Sequence, residues 1–148
     1  MIWKPNVTVA AVIERDGRFL LVEEQTDQGL KLNQPAGHLE TEESLVEGAI
    51  RETLEETAYE FLPRHVLGIY RWRKPKSETI YLRFAFAGDA GRHHAKQPLD
   101  DGIVRALWLT ADEIRANKAQ HRSPLVDRCV EDYLRGQRFP LNMLVHYD

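Results

Sequence analysis

The sequence has a single cysteine, Cys129, so no internal disulfide can form, and a reducing, cytoplasmic setting is the simplest home for it. No apolar run approaches the roughly 18 residues a membrane span needs. The opening residues, Met1 to Pro5, contain nothing that reads as a secretion signal. Basic charge is not in excess either. Against 20 Lys and Arg stand 23 Asp and Glu, a formal net charge of −3. A general affinity for nucleic acid is thereby excluded, because phosphate backbones are held by surplus cations. Room is left for a local basic pocket that takes one small anion. Internal repeats, low-complexity tracts and linkers are also missing. What remains is a chain of 148 residues, 43% hydrophobic and 29% charged. It is long enough for one domain with a real core and too short for two. A monomer is expected, with a dimer as the alternative.

Residues Val7 to Ile13 are rich in β-branched side chains and predict a buried strand. Asp16-Gly17 follows, the pair favoured in tight hairpins, and Phe19 to Glu24 returns as a second strand. Gln25 to Gly29 reads as a loop, and Leu32 to Leu39, broken by Pro35 and Gly37, as irregular. A helix is expected from Leu45 to Thr57, opened by Ser44 and Glu47 as a capping box. Strands are expected at His65 to Arg73, Thr79 to Ala87 and Val104 to Leu109, with loops at Lys74 to Glu78 and Gly88 to Asp101. Thr110 with Glu113 suggests a second capping box, and Ser123-Pro124 opens a last helix that Gly136 stops. Intermixed strands and helices after an initial hairpin point to an α/β fold, a mixed sheet with helices on both faces.

Chemistry concentrates in Gly37-His38-Leu39-Glu40-Thr41-Glu42-Glu43 and in Arg51-Glu52 with Glu55-Glu56. Spacings of three and four put Glu52, Glu55 and Glu56 on one helix face. Val46, Ala49, Ile50, Thr53 and Leu54 fall mostly on the remaining arc and can pack on a sheet. Three stacked carboxylates repel one another and call for positive charge. Magnesium suits them, since it takes carboxylate oxygens at about 2.0–2.1 Å and keeps sites for water and phosphate; manganese is a possible substitute. Arg51 can hold Glu43 or a phosphate in a bidentate pair. A glutamate-rich helix by itself is more often a solvated face.

The full spacing resembles the signature of the Nudix hydrolase family. That signature runs glycine, five residues, glutamate, seven residues, Arg-Glu, two residues, Glu-Glu, one residue, glycine and an apolar residue. Gly37, Glu43, Arg51, Glu52, Glu55 and Glu56 are all in register. Thr53, Ala58 and Tyr59 depart from it, and Ala58 replaces the glycine that would favour a left-handed helix cap. The resemblance implies an α/β/α sandwich over residues 7–116, followed by a C-terminal helix over about 124–135. It implies metal ligation by Glu52, Glu55 and Glu56 with the carbonyl of Ala36, and an Arg51 that orients Glu43. Glu52 is a ligand or the base that accepts the water proton. A further acid is expected from Asp100 or Asp101, with Glu78 a weaker candidate.

Leu32 to Glu40, Tyr81 to Phe84, Arg122 to Leu125 and Gly136 to Arg138 resemble a phosphatase subgroup of that family, a likeness that extends over nearly the whole chain. It implies hydrolysis of hydroxymethylpyrimidine pyrophosphate, a thiamine-pathway intermediate, and of nucleoside di- and triphosphates, releasing orthophosphate. Trp72 and Arg83 are the substrate-pocket candidates, with His38 placed to meet phosphate. The competing reading of Tyr70 to Lys74 is an alternating strand with one solvated face. His93-His94 reads as an exposed loop pair and Cys129 as a packed core side chain. A catalytically silent nucleotide-binding or interaction protein of the same fold is the alternative function. Such a protein usually loses a signature glutamate, and none is missing.

Overall fold

A computed structural model describes residues 1–148. Its elements are β1 (Asn6–Arg15), β2 (Arg18–Thr26), β3 (Gly29–Asn33), β4 (Ala36–His38), α1 (Leu45–Thr57), β5 (Tyr59–Arg73), β6 (Ile80–His93), β7 (Ile103–Thr110), α2 (Ala111–Ala116) and α3 (Leu125–Leu134). The sheet is mixed and runs β3-β2-β1-β6-β5, with β4 paired to β1 and β7 to β2. Only β1 and β6 are parallel. The β1–β2 pairing is confined to the hairpin end, Glu14 with Phe19 and Arg15 with Arg18. Further back, β4 takes the free edge of β1 at Thr8 to Ala10. Thus β2 peels away from β1, and β4, which carries Gly37, enters the gap.

Val9 to Ile13 are all buried, because the sheet is covered on both faces and alternating side chains must be apolar in both directions. Val9, Ala11 and Ile13 join Phe61, Val66 and Phe86 against Ala49 of α1. Ala10 and Val12 face the other way, with Phe19, Leu21 and Leu67, onto Ile114 of α2 and Leu125, Cys129 and Val130 of α3. The result is the expected α/β/α sandwich with a mixed sheet.

Both capping boxes form. Ser44 Oγ accepts from Glu47 N at 3.2 Å while Glu47 Oε1 accepts from Ser44 N at 2.8 Å, and Thr110 and Glu113 repeat the exchange. Pro124, at φ −60° and ψ −17°, is already helical, and Ser123 Oγ accepts from Leu125 N ahead of α3.

Four stretches differ from expectation, one of them Ala36–His38, expected to be irregular and observed as β4. Gly29 to Asn33 is a strand paired with β2, and β6 extends through the expected loop to His93. β5 begins at Tyr59, not at 65, and runs through Pro63. It is an edge strand whose register shifts three times, so proline and irregular residues are absorbed by bulges. Gly88 allows the close approach there, since a Cβ on it would lie 2.2 Å from Leu62 O.

Candidate active site

The centre of the site is Arg51, midway along α1. Nε and Nη2 grip Glu43 Oε1 and Oε2 at 2.7 and 2.9 Å, a bidentate pair. Nη1 reaches Glu52 Oε1 at 2.8 Å and Glu55 Oε1 at 2.7 Å, and Nη2 donates to His38 O at 3.0 Å. Glu43 Oε2 also accepts from Glu40 N at 3.0 Å. One guanidinium thus ties the motif loop to the acidic face of the helix. The Arg51 hydrogen bonds hold the Glu43 carboxyl below its ordinary range. Its carboxylate partners, Glu43 foremost, hold Arg51 firmly charged.

Glu52 and Glu56 lie on the buried side of α1, a distinction the three-and-four spacing did not make. Burial raises Glu52 against the pull of Arg51. It pushes Glu56 up to about 9, opposed only in part by the hydrogen bond Glu56 accepts from Ala36 N at 2.9 Å. Gly37 lies directly over Glu52: a Cβ there would meet the Glu52 carboxyl carbon at 2.2 Å. A larger residue there would push the Glu52 carboxylate aside, whereas glycine keeps the chain close to it without displacing it. Thr53, fully buried, satisfies its hydroxyl by donating to Ala49 O at 2.7 Å. An unmet buried hydroxyl would cost about 1–3 kcal/mol. Ala58 adopts the left-handed cap at φ +63° with its N–H on Leu54 O, so the helix ends where glycine would have ended it.

Of the two loop acids, Asp100 is brought to the face. Its N–H bonds Glu55 O at 3.0 Å, and its carboxyl is raised by partial burial and by Glu55. Asp101 turns to solvent, and Glu78 lies in the exposed β5–β6 turn. As the side chains stand, no three acidic, cysteine or histidine groups converge closely enough to hold a cation, since Arg51 Nη1 lies between Glu52 and Glu55. The donor set is nonetheless carboxylate oxygen throughout, crowded and partly desolvated, which is the chemistry a hard divalent cation takes.

Alongside lies a cleft of about 270 Å³. It gathers the sequence candidates Ala36, His38, Trp72 and Arg83, with Trp72 stacked on Tyr81 at 5.8 Å and 22°. Sequence reasoning missed Glu24, which lines this cleft and whose charge also bears on Glu56. The signal was Glu23-Glu24 closing an otherwise apolar strand. Lys31, Tyr81 and Arg122 were missed as well, and no spacing relates them. His94 pairs with Glu60 at 2.7 Å and His93 packs on Tyr59, both away from the cleft. Cys129 is buried, as expected.

The NUDIX domain model matches residues 3–129. The chain is 43% identical over 142 residues to phosphatase NudJ of Escherichia coli strain K12, covering 96% of this chain and 92% of that one. A solved NUDIX hydrolase from Nitrosomonas europaea superposes with a TM-score of 0.95 at 54% identity, covering 97% and 98% of the two chains. A MutT NUDIX hydrolase from Burkholderia pseudomallei shares the fold at 17% identity, with a TM-score of 0.74 over 88% and 98%.

Proposed function

The chain belongs to the Nudix hydrolase family, whose members hydrolyse pyrophosphates, and on that premise we propose that it is a magnesium-dependent phosphatase. Its substrates are small diphosphates, hydroxymethylpyrimidine pyrophosphate and nucleoside di- and triphosphates, from which it releases orthophosphate. The likeness to phosphatase NudJ over 96% of the chain supports the substrate class. The observation that carries the reading is the Arg51-clamped face of Glu52, Glu55 and Glu56 beside a cleft holding Trp72 and Arg83.

Glu52, Glu55 and Glu56 would hold the cation, with the Ala36 carbonyl, and Asp100, whose charge bears on Glu52 and Glu56, would join them. Bound there, magnesium supplies charge neutralisation of the phosphoryl oxygens and a lower pKa for the attacking water. The protein's own part is positional. Arg51 keeps Glu43 and the motif loop fixed to α1, and Gly37 lets that loop close over Glu52. Trp72, Arg83 and His38 orient the rest of the substrate, and approximation of this kind supplies much of catalysis in phosphoryl transfer. The water oxygen bonds to the terminal phosphorus, and the bridging P–O bond breaks with its electron pair going to the leaving oxygen. The proton passes to a carboxylate, which is Glu52 in the arrangement where Glu55, Glu56 and the Ala36 carbonyl alone hold the cation. Residues 1–148 act as one hydrolase domain, a cytoplasmic monomer, in the same proposal; no helix is long and apolar enough to cross a membrane.

Phosphate release with and without magnesium, over nucleoside phosphates, ADP-ribose, diadenosine polyphosphates and hydroxymethylpyrimidine pyrophosphate, is the test. Metal-dependent orthophosphate from the pyrimidine compound or from simple nucleotides is expected. Release of pyrophosphate instead, or silence from folded protein, overturns the reading.

A further inference from the structure

The floor of the cleft carries a charge that nothing in the chain balances. Arg83 on β6 is 5% exposed, and all its partners are neutral. Nη1 donates to Gln34 Oε1 at 2.8 Å and weakly to Cys129 Sγ at 3.8 Å, and Nη2 donates to Asn33 Oδ1 at 2.9 Å. A guanidinium has five N–H donors, so two are left without a protein acceptor. The contrast with Arg51 is sharp, since that arginine meets three carboxylates within 2.8 Å. Around the rim three cations, Lys31, Lys74 and Arg122, outnumber two carboxylates, Glu24 and Asp27. Lys31 and Lys74 line it without forming an ion pair, and Arg122 has only Glu24 at 3.7 Å. Burying a cation without a counter-charge is penalised unless an anion arrives.

We propose that this floor is an oxyanion subsite, in which Arg83 takes a phosphate or carboxylate oxygen borne by the half of the substrate that enters the cleft. The inference rests on the phosphatase reading and deepens it. It makes the substrate a diphosphate whose cleft half carries its own oxyanion beside a ring that can stack on Trp72. The competing role for Arg83 is that of a tether. Gln34, fully buried, also donates Nε2 to Val126 O at 2.9 Å, so Arg83, the β3–β4 loop and α3 form one tie.

Asn33→Asp separates the two roles. A carboxylate at that position faces Arg83 Nη2 across 2.9 Å, which strengthens a tether but cancels an anion site. The full chain is titrated calorimetrically with inorganic phosphate, once in EDTA and once with magnesium, and with acetate in parallel to tell phosphate from carboxylate. Wild-type protein should bind one of the two saturably in both buffers. Asn33→Asp should weaken that binding about tenfold or more, an electrostatic loss of the size one charged hydrogen bond carries, with thermal stability unchanged or raised. Arg83→Gln should show the same loss, its fold checked by melting. No binding by wild type, binding that requires magnesium, or binding that survives Asn33→Asp overturns the proposal. Loss of the phosphatase reading shows separately, as absent metal-dependent phosphate release, and metal-free anion binding would stand without it.

Discussion

Two carboxylates are sunk into helices on opposite faces of the sheet, and they are treated very differently. Asp132 on α3 is fully buried and accepts from Tyr70 Oη at 2.8 Å and from Arg128 Nε at 3.0 and 3.1 Å, with Arg135 bonded to it as well. Glu56 on α1 is 9% exposed and accepts one backbone N–H. Burial is nearly equal, so burial does not mark the site. The number of partners does. Asp132 is satisfied by its own fold, as structural buried ions must be, whereas Glu56 has one backbone donor and no cationic partner, and a buried carboxyl so perturbed is a functional-site candidate.

Glu56→Gln tests this contrast most directly. It keeps the acceptor for Ala36 N but removes the proposed cation ligand, so turnover should fall at least about a hundredfold while the melting temperature holds or rises. Retained turnover would break the contrast and the metal assignment together. Asp132→Asn should do the reverse, with phosphate release close to wild type and stability down by about 1–3 kcal/mol in urea titration. The loss is held to that range because Arg128 and Arg135 are more than half exposed and can turn to water.

A pH series sharpens the point. Glu56 has a folded pKa raised to about 9 from an ordinary 4.5, so its proton is kept in the native state and released on unfolding between those values. Stability contributed by the neutral form is complete below 4.5 and is lost as pH rises through 9. Melting temperature in EDTA should therefore decline between pH 5 and 9, and Glu56→Gln should flatten that decline. An identical slope in the variant would show that another group is responsible. Smallest is Tyr70→Phe, which takes one of several donors from Asp132 and should cost about 1 kcal/mol by denaturant titration, without change in turnover.

How legible each half was follows from where its information lies. The α1 site sits in one continuous stretch, so Ser44 and Glu47 fixed the helix start and the intervals from Gly37 to Glu56 exposed the acidic face. Which of those glutamates faced inward was not visible, because it depends on how α1 rolls against Val9 and Phe61. The cleft is assembled from strands β1 to β6 and the chain around the start of α3, and only Trp72, Arg83, His38 and Ala36 could be picked out beforehand. Strand lengths were misread where Pro63 and Gly88 punctuate the sequence but bulges carry the pairing through. Ala58 shows the opposite case, in which an unfavoured residue adopts the left-handed cap because the fold requires it.

The tie from Gln34 to Val126 has a consequence for where the chain can be cut. A gene stopped after Ala116 would encode every signature residue and every strand. It would also strip Leu125, Cys129 and Val130 from the second core, leave the Gln34 amide without its acceptor, and open one face of the sheet to water. Such a fragment should be recovered in inclusion bodies or be degraded by protease within minutes. The shortest sequence that can be recognised and the shortest that can fold are therefore different lengths.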